Sequence, residues 1–333
     1  MQKKCKFLII LFLTICNVVF SLEIKNPYQD INWKKDKQYR VNLHTHTKCS
    51  DGQLSLSEVV NRYREAGYTI LAITDHNIIT FPWEQFDKSG NYENRNPREI
   101  DMLAVQGCEF SSHHHLGSYF TDAGPCVDIE SSLNNIREKD GIAVLFHPGR
   151  YNYSDEWYID LYTRYPFIVG IEVHNQGNRC PMDQILWDRI LTRLMPDRPV
   201  WGFGNDDAHL PEHIGLSWNV FILKNLTVDE LDTAMRKGIF YFSYKPEKTS
   251  DKMPPLIKSI LISRVLVQNG EIRIYVKSKD ANAIEWISDG KVVATGEVVN
   301  LNKIKKDTGT YIRARLIGEG GYTYTQPFGI IDK

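Results

Sequence analysis

Residues 41–52 read VNLHTHTKCSDG, and this stretch decides how the rest of the 333-residue sequence is interpreted. Residues 40–43 are typical of a short strand, and His44 and His46 follow it directly. Side chains in extended backbone alternate between two faces, so we expect the two imidazoles to point the same way. A single His-x-His pair is weak evidence, because many such pairs are ordinary surface residues. Its meaning depends on how the other strands end.

Six predicted strands end in potential metal ligands. After the first strand, the strand ends read AITDH (72–76), AVQGCE (104–109), VLFH (144–147), GIEVHN (170–175) and WGFGNDDAH (201–209). The carboxyl ends of parallel strands in a barrel converge on one face, and that face carries the functional site. Imidazole and carboxylate ligands together suit zinc, manganese or iron. The repeated pattern therefore predicts a polynuclear metal site at this face.

Helical patterns separate these strands. Apolar residues recur on one helical face in residues 55–66 and 183–194, and residues 131–139 also look helical. The sequence TVDE at 227–230 is a capping box that opens a further helix ending at Gly238. Strands that alternate with helices predict a parallel α/β fold. The segment 78–98 lacks periodicity, which predicts an active-site loop or lid.

The character of the sequence changes after Pro254 and Pro255. Short alternating β-like runs follow one another without a helix, and residues 288–290 (Ser-Asp-Gly) form a predicted hairpin turn. We therefore expect an α/β barrel over residues 22–252 and a small, immunoglobulin-like β-sandwich over residues 253–333.

Residues 1–21 have the layout of a secretory signal peptide. Three lysines precede a mostly apolar run over residues 7–20, and Val19 and Ser21 fit a cleavage site after Ser21. The run is short for a membrane span, and no other stretch is long enough for a stable transmembrane segment in the mature chain. An uncleaved anchor and a lipid anchor at Cys16 are the alternatives, although Ile15 is larger than a lipobox requires. The expected location is the periplasm or the extracellular space.

Composition and charge exclude several classes of protein. The chain is 42% hydrophobic and 24% charged, which is typical of a globular protein and excludes a disordered or coiled-coil one. With 40 Lys and Arg against 41 Asp and Glu, there is no basic excess to drive duplex nucleic-acid binding, which is therefore not expected. The cysteines after residue 21 show no CxxC spacing, so a cysteine-based zinc site is not expected either.

The combined motifs resemble the polymerase and histidinol phosphatase (PHP) superfamily. The matching segments are HTHTKCSDG (44–52), TDHN (74–77), GCE (107–109), HPG (147–149) and DAH (207–209), in the family's order. The resemblance implies a distorted, TIM-like (β/α)7 barrel that holds two or three divalent metal ions. It also implies a ligand set, in which Glu109 bridges two ions: His44, His46, Asp51, His76, Glu109, His115, His147, Asp207 and His209.

Two positions in that ligand set have close competitors. The family places a histidine farther along after the glutamate, whereas here His113, His114 and His115 follow it closely. The strand that comes next favours His115, with His114 second. Asp206 adjoins Asp207, and the Asp-x-His spacing selects Asp207.

Other polar residues near the motifs are candidates for supporting roles. Asp75 and Asn77 are expected to orient ligand imidazoles. Asp75 and His174 are also possible catalytic helpers, and His174 and His213 are candidates for protonating the leaving group. Glu172 and His174 alternate along a strand, so at most one of them points inward, and each is interpreted as structural.

The resemblance implies a metal-dependent phosphoesterase, here a secreted one. A metal-bound hydroxide would attack a phosphomonoester or phosphodiester. Lys48 and Arg150 lie just after ligand motifs and are candidates for binding the phosphate. The expected substrate is a phosphorylated small molecule or glycan.

Two alternatives stay open from the sequence. A non-catalytic glycan-binding or ligand-binding protein would use aromatic residues of the β-domain, namely Tyr275, Trp286, Tyr322 and Tyr324, to stack on sugar rings, although packing explains them more simply. A metal-dependent hydrolase of a non-phosphate bond would need the same metal site.

Overall fold

The computed structural model describes residues 22–245, 260–277 and 281–331. The predicted signal peptide, the cysteine of the lipid-anchor alternative and the predicted domain boundary near residue 252 lie outside these ranges. Among the described residues, no helix combines the length and the apolar character that a membrane crossing requires.

The described ranges contain five α-helices and twenty strands. The helices are α1 (Leu56–Glu65), α2 (Ile129–Glu138), α3 (Asp155–Arg164), α4 (Met182–Leu194) and α5 (Val228–Lys237). The strands before the gap at residue 246 are β1 (Glu23–Lys25), β2 (Lys37–Asn42), β3 (Ile70–Ile73), β4 (Glu84–Phe86), β5 (Tyr92–Asn94), β6 (Leu103–Phe110), β7 (Leu116–Tyr119), β8 (Ile142–Leu145), β9 (Ile168–Asn175), β10 (Trp201–Asn205), β11 (Ser217–Leu223) and β12 (Phe240–Tyr244). The later strands are β13 (Ile262–Gln268), β14 (Glu271–Val276), β15 (Ala281–Ser288), β16 (Lys291–Thr295), β17 (Val298–Asn300), β18 (Tyr311–Gly318), β19 (Gly321–Tyr324) and β20 (Phe328–Ile331).

The predicted helices form with the predicted caps. Ser55 and Glu58 make a reciprocal capping box at the start of α1. Thr227 caps α5, which ends at Gly238 with φ = 71°, a left-handed conformation that glycine adopts without strain. Helix α3 was not predicted from the sequence; Ser154 caps it, and its buried face is largely aromatic.

Strands β2, β3 and β6–β12 build a distorted α/β barrel, but they are not all parallel as predicted. Strands β2, β3 and β6 are parallel neighbours, and so are β8, β9 and β10. Between β6 and β8 lies β7, which is antiparallel to both because residues 111–115 are too few for a crossover helix. Strands β11 and β12 are antiparallel to each other and continue the sheet next to β2.

Hydrogen bonds join β10, at one end of the strand order, to β11 and to the end of β2. The side chain of Asn219 on β11 accepts from the Gly204 N–H at 3.1 Å and donates to the Gly204 carbonyl at 2.8 Å. Just beyond the strands, the Asp207 N–H donates to the His44 carbonyl at 2.9 Å. The ends of β2 and β10 therefore meet, which is where the sequence predicts the site.

The segment 78–98 is more ordered than the predicted loop. It contains the antiparallel hairpin of β4 and β5 and a short 3-10 turn at Pro97–Ile100. Within this segment, Trp83 is fully buried, whereas Phe86 and Tyr92 are exposed. The rings of Phe86 and Tyr92 pack on each other, with centroids 5.3 Å apart.

The remaining strands form the predicted β-sandwich, joined to the barrel by main-chain hydrogen bonds. A sheet of β13, β14 and β17 packs over the sheet that contains β15, β16 and β18. The predicted hairpin turn forms between β15 and β16, with positive φ at Asp289 and Gly290. Strand β19 pairs with β12, so one sheet runs from the barrel into the sandwich.

The aromatic residues considered for sugar stacking mostly pack internally. Trp286 is fully buried, and Tyr324 stacks on Phe242 with ring centroids 5.1 Å apart. Tyr322 stacks on Tyr244 of the barrel. Of these four residues, only Tyr275 has an exposed side chain, so they do not form a shared platform for a glycan.

Candidate metal centre

The nine predicted ligands lie together at the strand ends. Their ligand atoms form three overlapping groups, each with all atoms within 4.8 Å of one another: His46, Asp51, His76 and His209; His44, His46, Glu109 and Asp207; and His76, Glu109 and His115. His147 is the ninth, with Nε2 at 3.1 Å from Glu109 Oε1. The structure thus brings the predicted set together, and its binding of metal ions remains a prediction.

Glu109 is at the centre of these groups. Its buried Oε2 lies 3.1 Å from His44 Nε2, 3.0 Å from His46 Nε2 and 3.1 Å from His76 Nδ1. Its Oε1 lies 2.7 Å from His115 Nδ1. A carboxylate with both oxygens directed at different sets of imidazoles is suited to bridging two metal ions.

The polar atoms of the cluster fit divalent cations better than they fit one another. Three buried atoms lack hydrogen-bond partners: His44 Nε2, His76 Nδ1 and Glu109 Oε2. Each of the two nitrogens lies 3.1 Å from Glu109 Oε2, yet neither makes a hydrogen bond to it. Buried polar atoms without partners are costly, and imidazole and carboxylate ligands suit zinc, manganese or iron. The residues present therefore fit two or three divalent ions that would share Glu109.

The electrostatics of the cluster point the same way. Burial alone would raise the pKa of Glu109 and of Asp207, but the neighbouring imidazoles, His44 foremost, hold both pKa values well below their usual range. Burial opposes charge on His46 too, yet the neighbouring carboxylates of Asp207 and Glu109 raise its pKa to about 10. The carboxylates thus favour the protonated form of His44 and His46, and a cation that binds here would displace those protons.

Asp75 orders the loop that carries Asp51. Its carboxylate accepts from the Thr47 N–H and Oγ1–H, both at 2.8 Å, from Ser50 Oγ at 2.6 Å and from Thr80 Oγ1 at 2.8 Å. Through Ser50, whose Oγ lies 3.4 Å from His46 Nδ1, Asp75 also reaches a ligand imidazole, as expected of an orienting residue. A direct part in catalysis does not match this geometry, because the carboxylate is buried and bonded to the loop.

Gly52 closes the same loop. A Cβ there would lie 2.7 Å from the carbonyl carbon and oxygen of His46, so only glycine fits.

Glu172 bonds a predicted metal ligand, whereas the sequence interpretation treated it as structural. Its Oε1 accepts from His44 Nδ1 at 2.8 Å and from Asn205 Nδ2 at 2.9 Å. Its Oε2 accepts from the His147 N–H and from Asn175 Nδ2, both at 2.9 Å. By accepting the Nδ1 proton, Glu172 fixes the His44 tautomer that presents Nε2 to the cluster.

His174 faces the opposite side of β9 and is not near the centre. Its ring stacks on Tyr244 at 3.9 Å, and burial lowers its pKa to about 3. The proposed role of His174 as a helper is therefore wrong, because the alternation that points Glu172 inward points His174 outward.

The structure separates the three consecutive histidines. His115 contacts Glu109, as favoured from the sequence. His113 Nε2 lies 2.9 Å from Ser132 Oγ, and the His114 ring is buried beside Tyr158. Neither His113 nor His114 joins the metal-ligand groups.

The cluster opens into a cleft of about 400 Å³. The lining residues are Asp51, His76, Glu109, His115, His147, Arg150, Gln176, Arg179, Asp207, His209 and His213. Arg150 lies on this cleft as predicted, whereas Lys48 is exposed and is not among the lining residues. The phosphate-binding role expected of Lys48 therefore has no support from its position.

Two lining residues were missed from the sequence. Arg179 Nη2 donates to Asp207 Oδ2 at 2.8 Å, and Gln176 Nε2 donates to the Asp207 carbonyl at 2.8 Å. Both lie within four residues of the end of β9, so the rule that identified the ligands at strand ends could also have identified them.

Comparison with known proteins supports a PHP domain. Residues 42–179 match the PHP domain family. A two-domain protein from Bacteroides vulgatus that contains a predicted PHP-like metal-dependent phosphoesterase aligns over 88% of this chain and 96% of its own, with 14% identity and a TM-score of 0.52. This likeness shows a shared two-domain fold. No curated protein matches the chain.

Two endonuclease structures align less well. An endonuclease Q complex aligns over 60% of this chain and 57% of its own, with 14% identity and a TM-score of 0.42. A lesion-specific endonuclease from Pyrococcus furiosus aligns over 60% and 56%, also with 14% identity and a TM-score of 0.42.

The endonuclease complex overturns the expectation that excluded duplex nucleic acid. That protein holds a 27-mer duplex with an abasic lesion at its active site. The prediction from charge was wrong because net charge averages the whole surface, whereas the groups around one cleft, bound metal ions included, decide whether phosphates bind there.

Proposed function

We propose that this chain, whose residues 42–179 form a PHP domain, hydrolyses phosphate esters with the help of two or three divalent metal ions. The observation that carries the proposal is the sharing of Glu109 among overlapping ligand groups at the floor of a cleft that also presents two arginines, Arg150 and Arg179. Zinc, manganese and iron are the ions that suit these ligands.

The metal ions and the protein supply different parts of the chemistry. When bound, such ions activate water and neutralise charge that develops on phosphate oxygens. The exposed Arg150 at the mouth of the cleft binds phosphate oxygens through charge-assisted hydrogen bonds. Arg179 is held by Asp207, so its position is tied to the cluster. Glu172 keeps His44 in the tautomer that the cluster requires.

His213 is the best-placed residue to protonate a leaving group. It lines the cleft, and its Nδ1 accepts from the His209 N–H at 3.3 Å. Because Nδ1 is an acceptor, the ring proton of the neutral imidazole is on Nε2. This role replaces the one expected of His174.

We also propose that the protein acts outside the cytoplasm, because residues 1–21 have the layout of a signal peptide. Expression of the full chain for export, followed by mass measurement of the mature N-terminus, tests this point. Cleavage after Ser21 supports export, whereas an intact N-terminus or one starting at Cys16 indicates an anchored form.

The central experiment measures hydrolysis by the exported protein. Enzyme stripped with a chelator and reloaded with manganese or zinc is assayed for phosphate release from paired phosphomonoesters and phosphodiesters. Activity that is lost on stripping and restored on reloading supports the proposal. A metal-loaded protein that releases no product from any phosphate ester, but does release amine or carboxylate from amide or cyclic-ester substrates, would overturn it.

A further inference from the structure

Two pairs of stacked aromatic rings lie beside the cleft, immediately after Arg150. Tyr151 stacks on His114, with ring centroids 4.2 Å apart and planes inclined by 25°. Tyr153 stacks on Trp157, at 4.0 Å and 13°. The centroids of Tyr151 and Tyr153 are 6.0 Å apart and their planes differ by 32°, so the two tyrosines lie side by side.

This aromatic pair adjoins the metal centre. The Tyr151 hydroxyl accepts from the His115 N–H at 2.9 Å, and the two rings are 6.0 Å apart. His115 itself contacts Glu109 and lines the cleft. Tyr151 is thus linked to the cluster through a single residue, His115.

The two tyrosines are held firmly but are not covered. Tyr153 is 43% exposed, and Tyr151 is half-buried. The ring beneath Tyr153 belongs to Trp157 in the first turn of α3, which is capped by Ser154. Because each tyrosine already rests on another ring, little conformational freedom remains to be lost when a further ring stacks on it.

We propose that Tyr151 and Tyr153 form a stacking subsite for the base of a nucleotide whose phosphate lies at the metal centre. The inference rests on the proposed phosphoesterase function and names its substrate class. Every nucleobase has a flat π-face that stacks on tyrosine. Two adjacent rings, inclined by 32°, offer more aromatic surface than one six-membered ring, which suits a purine better than a puckered sugar.

The same chemistry is present in a free nucleotide and in an unstacked base of a nucleic-acid strand. A free nucleotide requires only the subsite and the metal centre. A strand would also contact basic groups along its backbone, which makes its affinity strongly dependent on salt. The experiment therefore includes both sources.

The test compares two substrates that differ only in the base, adenosine 5′-monophosphate and ribose 5-phosphate. For the metal-loaded full chain, we expect kcat/KM to be roughly tenfold higher for the nucleotide, which corresponds to about 1.4 kcal/mol. Tyr153→Ala is expected to reduce this ratio to about one, and Tyr153→Phe to preserve it. Tyr275→Ala is the matched control, because Tyr275 is similarly exposed, at 38%, but lies on β14 of the sandwich.

A binding measurement separates failure of this proposal from failure of the proposed function. Titration calorimetry of both ligands, and of a short single-stranded oligodeoxynucleotide at two salt concentrations, is made on the wild type and on Tyr153→Ala. Hydrolysis of glycerol phosphate together with equal kcat/KM for the two paired substrates would overturn the subsite and leave the phosphoesterase intact. A preference for ribose 5-phosphate would also overturn it and indicate a sugar subsite. Base-dependent binding that is lost in Tyr153→Ala supports the subsite even if no ester is cleaved.

Discussion

Two buried groups of charged side chains in this protein have opposite designs. Where the sandwich meets the barrel, Arg313 on β18 donates through Nε and Nη2 to the two carboxylate oxygens of Asp188 on α4, at 2.8 and 2.6 Å. The Tyr311 hydroxyl adds a third bond to Asp188 at 2.7 Å. At the metal centre, by contrast, Glu109 Oε2 faces three imidazole nitrogens, and several of these buried atoms make no hydrogen bond.

The difference separates a structural contact from a functional one. Both oxygens of the Asp188 carboxylate are bonded to donors of the chain itself, the Arg313 guanidinium and the Tyr311 hydroxyl. The metal centre concentrates ligand atoms whose mutual geometry is satisfied only by cations. Substitutions at the first group should therefore change stability, and substitutions at the second should change metal binding and activity.

The largest expected effect is that of Asp207→Ala, which removes a ligand between His44 and His46. Because divalent metal ions contribute several kcal/mol to transition-state stabilisation, kcat/KM should fall by on the order of 10³-fold or more. Metal content, measured after dialysis, should fall as well.

Asp188→Ala is the matched carboxylate removal at the other group. It should lower the urea midpoint and leave kcat of the folded protein unchanged. If Asp207→Ala lost stability but kept its activity, the two groups would have to exchange their assigned roles.

The second prediction concerns Arg313→Met. This change leaves Asp188 buried without its cation, and breaking a buried pair in this way costs about 3–5 kcal/mol. The free energy of unfolding from urea titration should fall by that amount. Activity per folded molecule should stay at the wild-type level.

The double variant Asp188→Leu with Arg313→Met provides the control. It removes both charges, so it should recover most of the lost stability. No recovery would mean that packing against Trp187, whose ring lies 4.9 Å from the guanidinium, matters more than the charge.

The third prediction concerns Asp183, a buried carboxyl group with no basic side chain bonded to it among the described residues. It is 1% exposed, and burial raises its pKa to about 7. The folded protein therefore retains a proton that the unfolded chain releases above about pH 4. Stability from this group is fully present below pH 4 and is lost as the pH rises towards 7, by at most about 4 kcal/mol.

Asp183→Asn tests this directly, because a neutral amide has no proton to lose. Urea titrations of both proteins between pH 4 and 8, with chelator present, should show a flatter dependence for the variant. Parallel curves would show that Asp183 is ionised in the folded protein at neutral pH.

The ligands could be predicted from the sequence because of where they stand. The convergence of parallel strand ends predicted a metal site near His44, Glu109 and the Asp206–Asp207 pair. The resemblance to the PHP superfamily supplied the choice of the nine ligands. The sandwich was equally visible in the alternation of residues after Pro255.

Other features depend on pairings that the sequence does not display. Whether Glu172 or His174 points inward depends on the phase of β9, and the pairing of β9 with β10 shifts register between Phe203 and Gly204. The antiparallel β7 and the pairing of β19 with β12 are likewise set by neighbours that are distant in the chain. These are the places where the sequence interpretation was wrong or silent.

The last prediction concerns Glu172, which has features of both groups. As at Asp188, both oxygens of the Glu172 carboxylate accept hydrogen bonds from donors within the chain. One of those donors, however, is the imidazole of the metal ligand His44, which connects Glu172 to the metal centre. Glu172→Gln keeps the size of the side chain but directs an amide N–H at one of those donors. The His44 tautomer is then no longer fixed, and metal affinity should fall about 10- to 100-fold.

Competition with a metal indicator measures that affinity, and activity should return when the metal concentration is raised. Glu285→Gln is the matched control, because Glu285 pairs with Arg315 in the sandwich, far along the chain from the ligands. If Glu172→Gln bound metal as tightly as the wild type but unfolded more easily, the role of Glu172 would be structural, like that of Asp188. Only the residues that contact Glu109 would then contribute to metal binding. A weakened metal affinity with an unchanged urea midpoint would instead show that Glu172, through its hydrogen bond to His44, contributes to metal binding.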